Sequence, residues 1–171
     1  KVRDLLSDFA NPYAVQCKDP LVAIGAYCLM PNHFHILLTP LVEGGVSLFM
    51  QKIATSYVSA FNARNNRTGG LFENKFKALH VDHDQYLKYL FAYIHLNPIK
   101  LMQPDCKERG ITDPERAFSY VSAYRYSSLQ EYLGVVRAES AILSRQHFPD
   151  YFPSTSSVQS DLFDWLTYDQ E

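Results

Sequence analysis

Two dense apolar runs separated by only two turn residues constrain this chain more than any other feature. Residues 21–30 (LVAIGAYCLM) read as a buried strand, Pro31-Asn32 as a turn, and residues 33–39 (HFHILLT) as the returning strand. A connection this short joins antiparallel strands and leaves no room for a crossover helix. Around the hairpin the apolar period changes to that of helices. Leu48, Phe49, Ile53, Tyr57 and Phe61 mark a long amphipathic helix with Ser47 as its N-cap, broken by residues 65–70 (NNRTGG). Val2, Leu5, Leu6 and Phe9 predict an earlier helix that ends at Asn11-Pro12. Residues 71–81 (LFENKFKALHV) read as a strand, and residues 84–96 as a helix stopped by Asn97-Pro98. Residues 103–116 read as a connection, and residues 127–133 as a weaker helix closed by Gly134. The chain is therefore expected to be α+β, with one domain over residues 1–150 and an acidic, Ser-rich tail over residues 151–171.

Composition narrows the class. Of the 171 residues, 47% are hydrophobic and 20% charged, which excludes wholesale disorder. No run approaches the roughly 18 apolar residues of a membrane span, and no secretory leader is visible. Cys17, Cys28 and Cys106 match no zinc spacing, so reduced thiols in a cytoplasmic protein are expected. The net charge of −2 argues against a globally basic nucleic-acid binder. The distribution is uneven, however. Residues 51–80 hold Lys52, Arg64, Arg67, Lys75 and Lys77 against Glu73 alone, an island able to follow a phosphate backbone or to serve as an ordinary solvated face. The twelve tyrosines suit base stacking as well as a core.

Two places carry chemistry. His33 and His35 are two apart on a strand, so they share a face roughly 7 Å apart at Cα, and their imidazoles can converge on one divalent cation. The plain alternative is a pair of histidines serving the turn. On the helix that follows, Tyr86, Tyr89 and Tyr93 share a face, and Asn97 lies one turn beyond Tyr93. Such a stripe is usually core, and Asn before Pro is common punctuation. Taken together, however, a phenol, an amide oxygen and two imidazoles suit phosphoryl transfer. A phenol titrates at about 10 and needs assistance as a nucleophile at neutral pH, which a metal polarising the phosphodiester supplies. Amide and substrate oxygens beside the imidazoles favour Mg²⁺ or Mn²⁺. His95 points elsewhere on the helix and is the poorer ligand.

The runs 26–38 (AYCLMPNHFHILL) and 93–98 (YIHLNP) resemble the two signature blocks of the REP-associated tyrosine transposases, within the single-tyrosine HUH superfamily of IS200-like transposases. Residues 70–77 (GLFENKFK), 84–87 (DQYL) and 126–128 (YSS) agree in order and spacing, so the resemblance spans residues 5–134. It implies a ferredoxin-like or RRM-like antiparallel sheet with helices on one face. It implies His33 and His35 as metal ligands with Asn97 completing the site, and Tyr93 as the nucleophile. The expected reaction is cleavage and rejoining of hairpin-containing single-stranded DNA through a 5′-phosphotyrosine, with Arg64, Arg67, Lys75 and Lys77 on the DNA. Two assemblies are compatible with the resemblance: a site within one chain, or one across a homodimer that exchanges the Tyr93 helix. Two departures stand out: the family's opening strand has no counterpart ahead of the first helix, and Tyr126 replaces the usual Trp. Two other readings stay open. One is a catalytically degenerate module that binds structured single-stranded DNA or RNA; the other is a metal hydrolase with a water nucleophile.

Overall fold

The computed structural model describes Tyr13 and residues 18–167. The helix expected around Val2–Phe9 and Cys17 lie outside the described residues. Strands β1 (Val22–Leu29) and β2 (Phe34–Pro40) form the expected antiparallel hairpin, closed by Met30 N donating to His33 O at 2.8 Å. Seven helices follow among the described residues: α1 (Gly45–Asn65), α2 (Asp84–Leu96), α3 (Ile99–Met102), α4 (Cys106–Arg109), α5 (Pro114–Ala123), α6 (Leu129–Tyr132) and α7 (Thr155–Thr167). The architecture is α+β, as the sequence implies.

The chain divides into two compact units. One comprises Thr39–His80 with the chain up to Ala23, and the other Ile24–Leu38 with Val81 onward.

In the first unit, α1 begins three residues earlier than Ser47 predicts. Its N-cap is Gly44, in the left-handed region at φ 67, and no side chain caps it. Glycine is required at the next position as well. A Cβ on Gly45 would sit 2.3 Å from Leu21 O, the carbonyl that accepts from Leu41 N at the hairpin base. The helix ends where expected, at Asn66 in the left-handed conformation. Beyond it the loop folds back: Asn62 Nδ2 donates to Gly69 O at 2.9 Å, Arg67 lies over the Phe61 ring and Tyr57 touches Phe72. Residues 71–80 are not a strand. Their alternation of apolar and basic side chains has no buried side to face, and Phe72, Phe76 and Leu79 are exposed.

The second unit holds the main core, built from Ala26, Cys28 and Leu37 of the hairpin, Phe91, Ala92 and Ile94 of α2, and Ala117 and Val121 of α5. Helix α5 falls partly within the stretch expected to be a connection. Pro114 occupies its first turn, and Asp113 caps it by accepting from Arg116 N at 3.0 Å. Within the acidic, Ser-rich segment, residues 155–167 form a helix. Val158, Leu162 and Leu166, spaced i, i+4, i+8, bury one stripe of α7 against α2 and α5, and Lys88 pairs with Asp161 at 2.5 Å.

The second edge of β1 is covered by residues 124–132 rather than by a strand. An isolated antiparallel bridge joins Cys28 to Ser127. Ser128 N donates to Tyr27 O (3.0 Å), Leu29 N to Tyr126 O (2.8 Å) and the Tyr132 hydroxyl to Gly25 O (2.6 Å). Arg137 ties this corner down. It donates to both oxygens of the buried Glu131 carboxylate and to the carbonyls of Arg125 and Ser127.

Candidate active site

Residues Ile24–Leu38 of the hairpin and all of α2 belong to the second unit, and they bring three of the singled-out side chains together. His33 sits just ahead of β2 and is exposed, while His35 is on the strand and half-buried. Their rings meet edge-on with centroids 5.1 Å apart. The ring of Tyr93, half-buried on α2, lies 5.4 Å from that of His35 at an interplanar angle of 80°. The hairpin and α2 thus hold a phenol beside paired imidazoles within a single chain.

The local chemistry suits the pair to a cation. His33 Nδ1 is 2.7 Å from Asn32 Oδ1. An amide oxygen only accepts, so Nδ1 carries the proton and a neutral ring keeps its Nε2 lone pair available. Burial, followed by the charges of His33 and Lys100, lowers the pKa of His35 below the ordinary histidine value and favours its neutral, ligating form. Two imidazoles therefore fit a divalent cation. Among the described residues, no group of three or more His, Cys, Asp or Glu side chains could hold one. A further protein ligand would have to be a different donor, such as an amide.

Asn97 is 2% exposed and one turn beyond Tyr93, as the spacing implies. Its Oδ1 accepts from Lys100 Nζ at 3.1 Å, and its Nδ2 is buried with no hydrogen-bond partner. The same ammonium lies 5.2 Å from the centroid of the Tyr93 ring. Lys100 is thus a component of the site that sequence reasoning passed over. The signal is present, since Lys100 is seven residues beyond Tyr93, but Asn97-Pro98 reads in the sequence as the end of the helix. In fact Asn97 (φ −53, ψ −37) and Pro98 (φ −61, ψ −16) both keep right-handed helical angles, and α3 follows at once.

The other tyrosines of the stripe continue away from the imidazoles. Tyr86 stacks on Tyr89 (5.8 Å, 22°), and Tyr89 lies 5.9 Å from Tyr93 and 5.2 Å from Trp165. Burial and its two tyrosine neighbours raise the pKa of Tyr89. His95 does point elsewhere. It is 2% exposed, its Nε2 is 2.8 Å from Ser128 Oγ, and burial lowers its pKa to about 3. Arg64, Arg67, Lys75 and Lys77 are exposed and belong to the first unit. Tyr126, at the position of the family's Trp, is 51% exposed with Arg125 over its ring.

The family model described as Transposase IS200 like matches residues 3–97, more than half of the chain, and takes in both imidazoles, Tyr93 and Asn97. No curated protein and no solved structure matches. A match of that extent, ending on the segment that carries the phenol and the amide, shows that the chain belongs to the IS200-like transposase family.

Proposed function

We propose that this transposase cleaves and rejoins hairpin-containing single-stranded DNA, with Tyr93 as nucleophile and His33 and His35 as the ligands of a divalent cation. The observation that carries the reading is the 5.4 Å approach of the Tyr93 and His35 rings, with His33 beside them. The Tyr93 oxygen attacks the phosphorus and forms a Tyr–O–P bond, the bond from phosphorus to the 3′ oxygen breaks, and the phenol's proton passes through solvent to that oxygen. The products are a 5′-phosphotyrosine and a free 3′-OH. Rejoining runs the same exchange in reverse from a new 3′-OH, so no nucleotide hydrolysis is required. When bound, Mg²⁺ or Mn²⁺ supplies polarisation of the phosphodiester and neutralises charge on its non-bridging oxygens. The half-buried setting holds the Tyr93 ring in place, so little orientational freedom remains to be lost on reaction. Arg64, Arg67, Lys75 and Lys77 offer exposed cations to the DNA backbone.

A 3′-labelled hairpin oligonucleotide tests the reading, because the label stays on the fragment that becomes attached to protein. The wild-type chain with Mg²⁺ or Mn²⁺ yields a labelled protein adduct, and Tyr93→Phe yields none while still binding the DNA. An adduct of full yield in Tyr93→Phe refutes the assignment and points to Tyr86 or Tyr89. The other reading, a binder of structured single strands without catalysis, draws support from Asn97, whose oxygen is held by Lys100. It requires metal-independent binding and no adduct from the wild-type chain.

A further inference from the structure

Resting on that reading, we propose that Lys100 is a further catalytic residue, whose ammonium moves from the Asn97 amide to a non-bridging oxygen of the scissile phosphate beside Tyr93. Three observations converge on it. First, the backbone keeps its helical course through Asn97 and Pro98, so residues 93, 97 and 100 fall at i, i+4 and i+7 and share one face. Pro98 tightens the turn without breaking it: Lys100 N donates to Asn97 O at 3.3 Å and Leu101 N to Pro98 O at 2.9 Å.

Second, the ammonium is half-buried and pairs with no carboxylate of the described residues, although Lys88, Arg109 and Arg137 all do. It has one amide oxygen at 3.1 Å and one aromatic face at 5.2 Å. An ammonium has three protons to donate, and a phosphate oxygen is a stronger acceptor than a neutral amide. Third, the partner it holds is itself half-satisfied, because Asn97 Nδ2 is buried without a bond.

As the bond to the tyrosine oxygen forms and the bond to the 3′ oxygen breaks, negative charge spreads over the phosphoryl oxygens. A cation on α3, which continues the course of the nucleophile's helix, meets that charge without having to be recruited. Lysine suits the task better than a rigid fork, because its four-carbon stem swings between amide and phosphate.

The test uses the full chain, Mg²⁺ or Mn²⁺, and a pool of 3′-labelled single-stranded hairpin oligonucleotides with varied flanks. Wild type, Lys100→Met, Lys100→Arg and Tyr93→Phe are compared for single-turnover adduct rate, DNA binding and thermal midpoint. Lys100→Met is expected to slow adduct formation by about 10²–10³-fold with binding and midpoint nearly unchanged, and Lys100→Arg to recover part of the loss. On the mapped substrate with a methylphosphonate at the scissile linkage, which removes the charged oxygen, the gap between wild type and Lys100→Met should close. A Lys100→Met rate within about threefold of wild type overturns the proposal while leaving the Tyr93 reading intact. So does an equal loss in Met and Arg variants accompanied by a lowered midpoint, which marks a structural role. Full adduct from Tyr93→Phe, or none from the wild-type chain on any member of the pool, overturns the underlying reading and this proposal with it.

Discussion

His95 and Tyr93 stand two residues apart on one helix and meet opposite environments. The Tyr93 ring reaches the imidazole pair, whereas His95 is sealed between Tyr132 and Ser128. The difference follows from the helical period alone and was legible: two residues advance the helix by more than half a turn. The sealed histidine has a consequence for stability. Held neutral down to about pH 3, it takes up no proton on mild acidification, whereas the unfolded chain protonates the same imidazole near its ordinary value of about 6.5. Its contribution is thus present above about pH 6.5 and is lost as the pH falls toward 3, by at most about 1.4 kcal/mol per pH unit. Denaturant unfolding at pH 7.5, 6.0 and 5.0 should show this loss. His95→Gln, which keeps a hydrogen-bonding group for Ser128, should be less stable at pH 7.5 but show a visibly shallower decline. Equal slopes would place the acid sensitivity elsewhere. Lys100 shows where residue-level reading stopped, since its place beside Tyr93 depends on a backbone course that Asn-Pro ordinarily interrupts.

Among the elements, α7 separates what composition suggests from what packing imposes. Serines and aspartates make residues 154–171 look like a solvated tail, yet Val158, Leu162 and Leu166 recur at helical spacing and are 1–3% exposed. Three apolar residues in such a background carry little weight in a sequence and become decisive only when α2 and α5 present a matching apolar surface. Leu162→Ala should therefore destabilise the chain by about 2–5 kcal/mol, read from urea midpoints at constant m-value. A loss below about 0.5 kcal/mol would mean that the helix is a loosely held appendage after all. Residues 71–80 err in the other direction. Their alternation satisfies the strand pattern, but they form no strand, and Phe72, Phe76 and Leu79 are exposed. Periodicity reports what a segment can bury and leaves open whether anything is there to receive it.

At the scale of the molecule, charge is distributed by unit. The cations singled out for DNA, Arg64, Arg67, Lys75 and Lys77, lie in the first unit, whereas the imidazoles, Tyr93 and Lys100 lie in the second. If the first group holds phosphates, replacing Lys75 and Lys77 together by Gln should weaken hairpin binding. It should also reduce the slope of log K against log salt by about 1.4, the value for two single-strand phosphate contacts, with the Tyr93 adduct still forming at saturating DNA. An unchanged slope would make these lysines an ordinary solvated face. No helix of the described residues is long and apolar enough to cross a membrane.

The sequence by itself determined the hairpin, the long helix after it and the shared strand face of His33 and His35. Each follows from a local period: two residues per strand repeat, 3.6 per helical turn, and a turn too short for anything but reversal. Only the tertiary structure decided the fate of the last helix, the covering of the second edge of β1 by residues 124–132, and the arrival of Lys100 at the Asn97 amide. Those outcomes depend on surfaces contributed by distant parts of the chain, and burial against such a surface overrides the local preferences of serine, aspartate and proline.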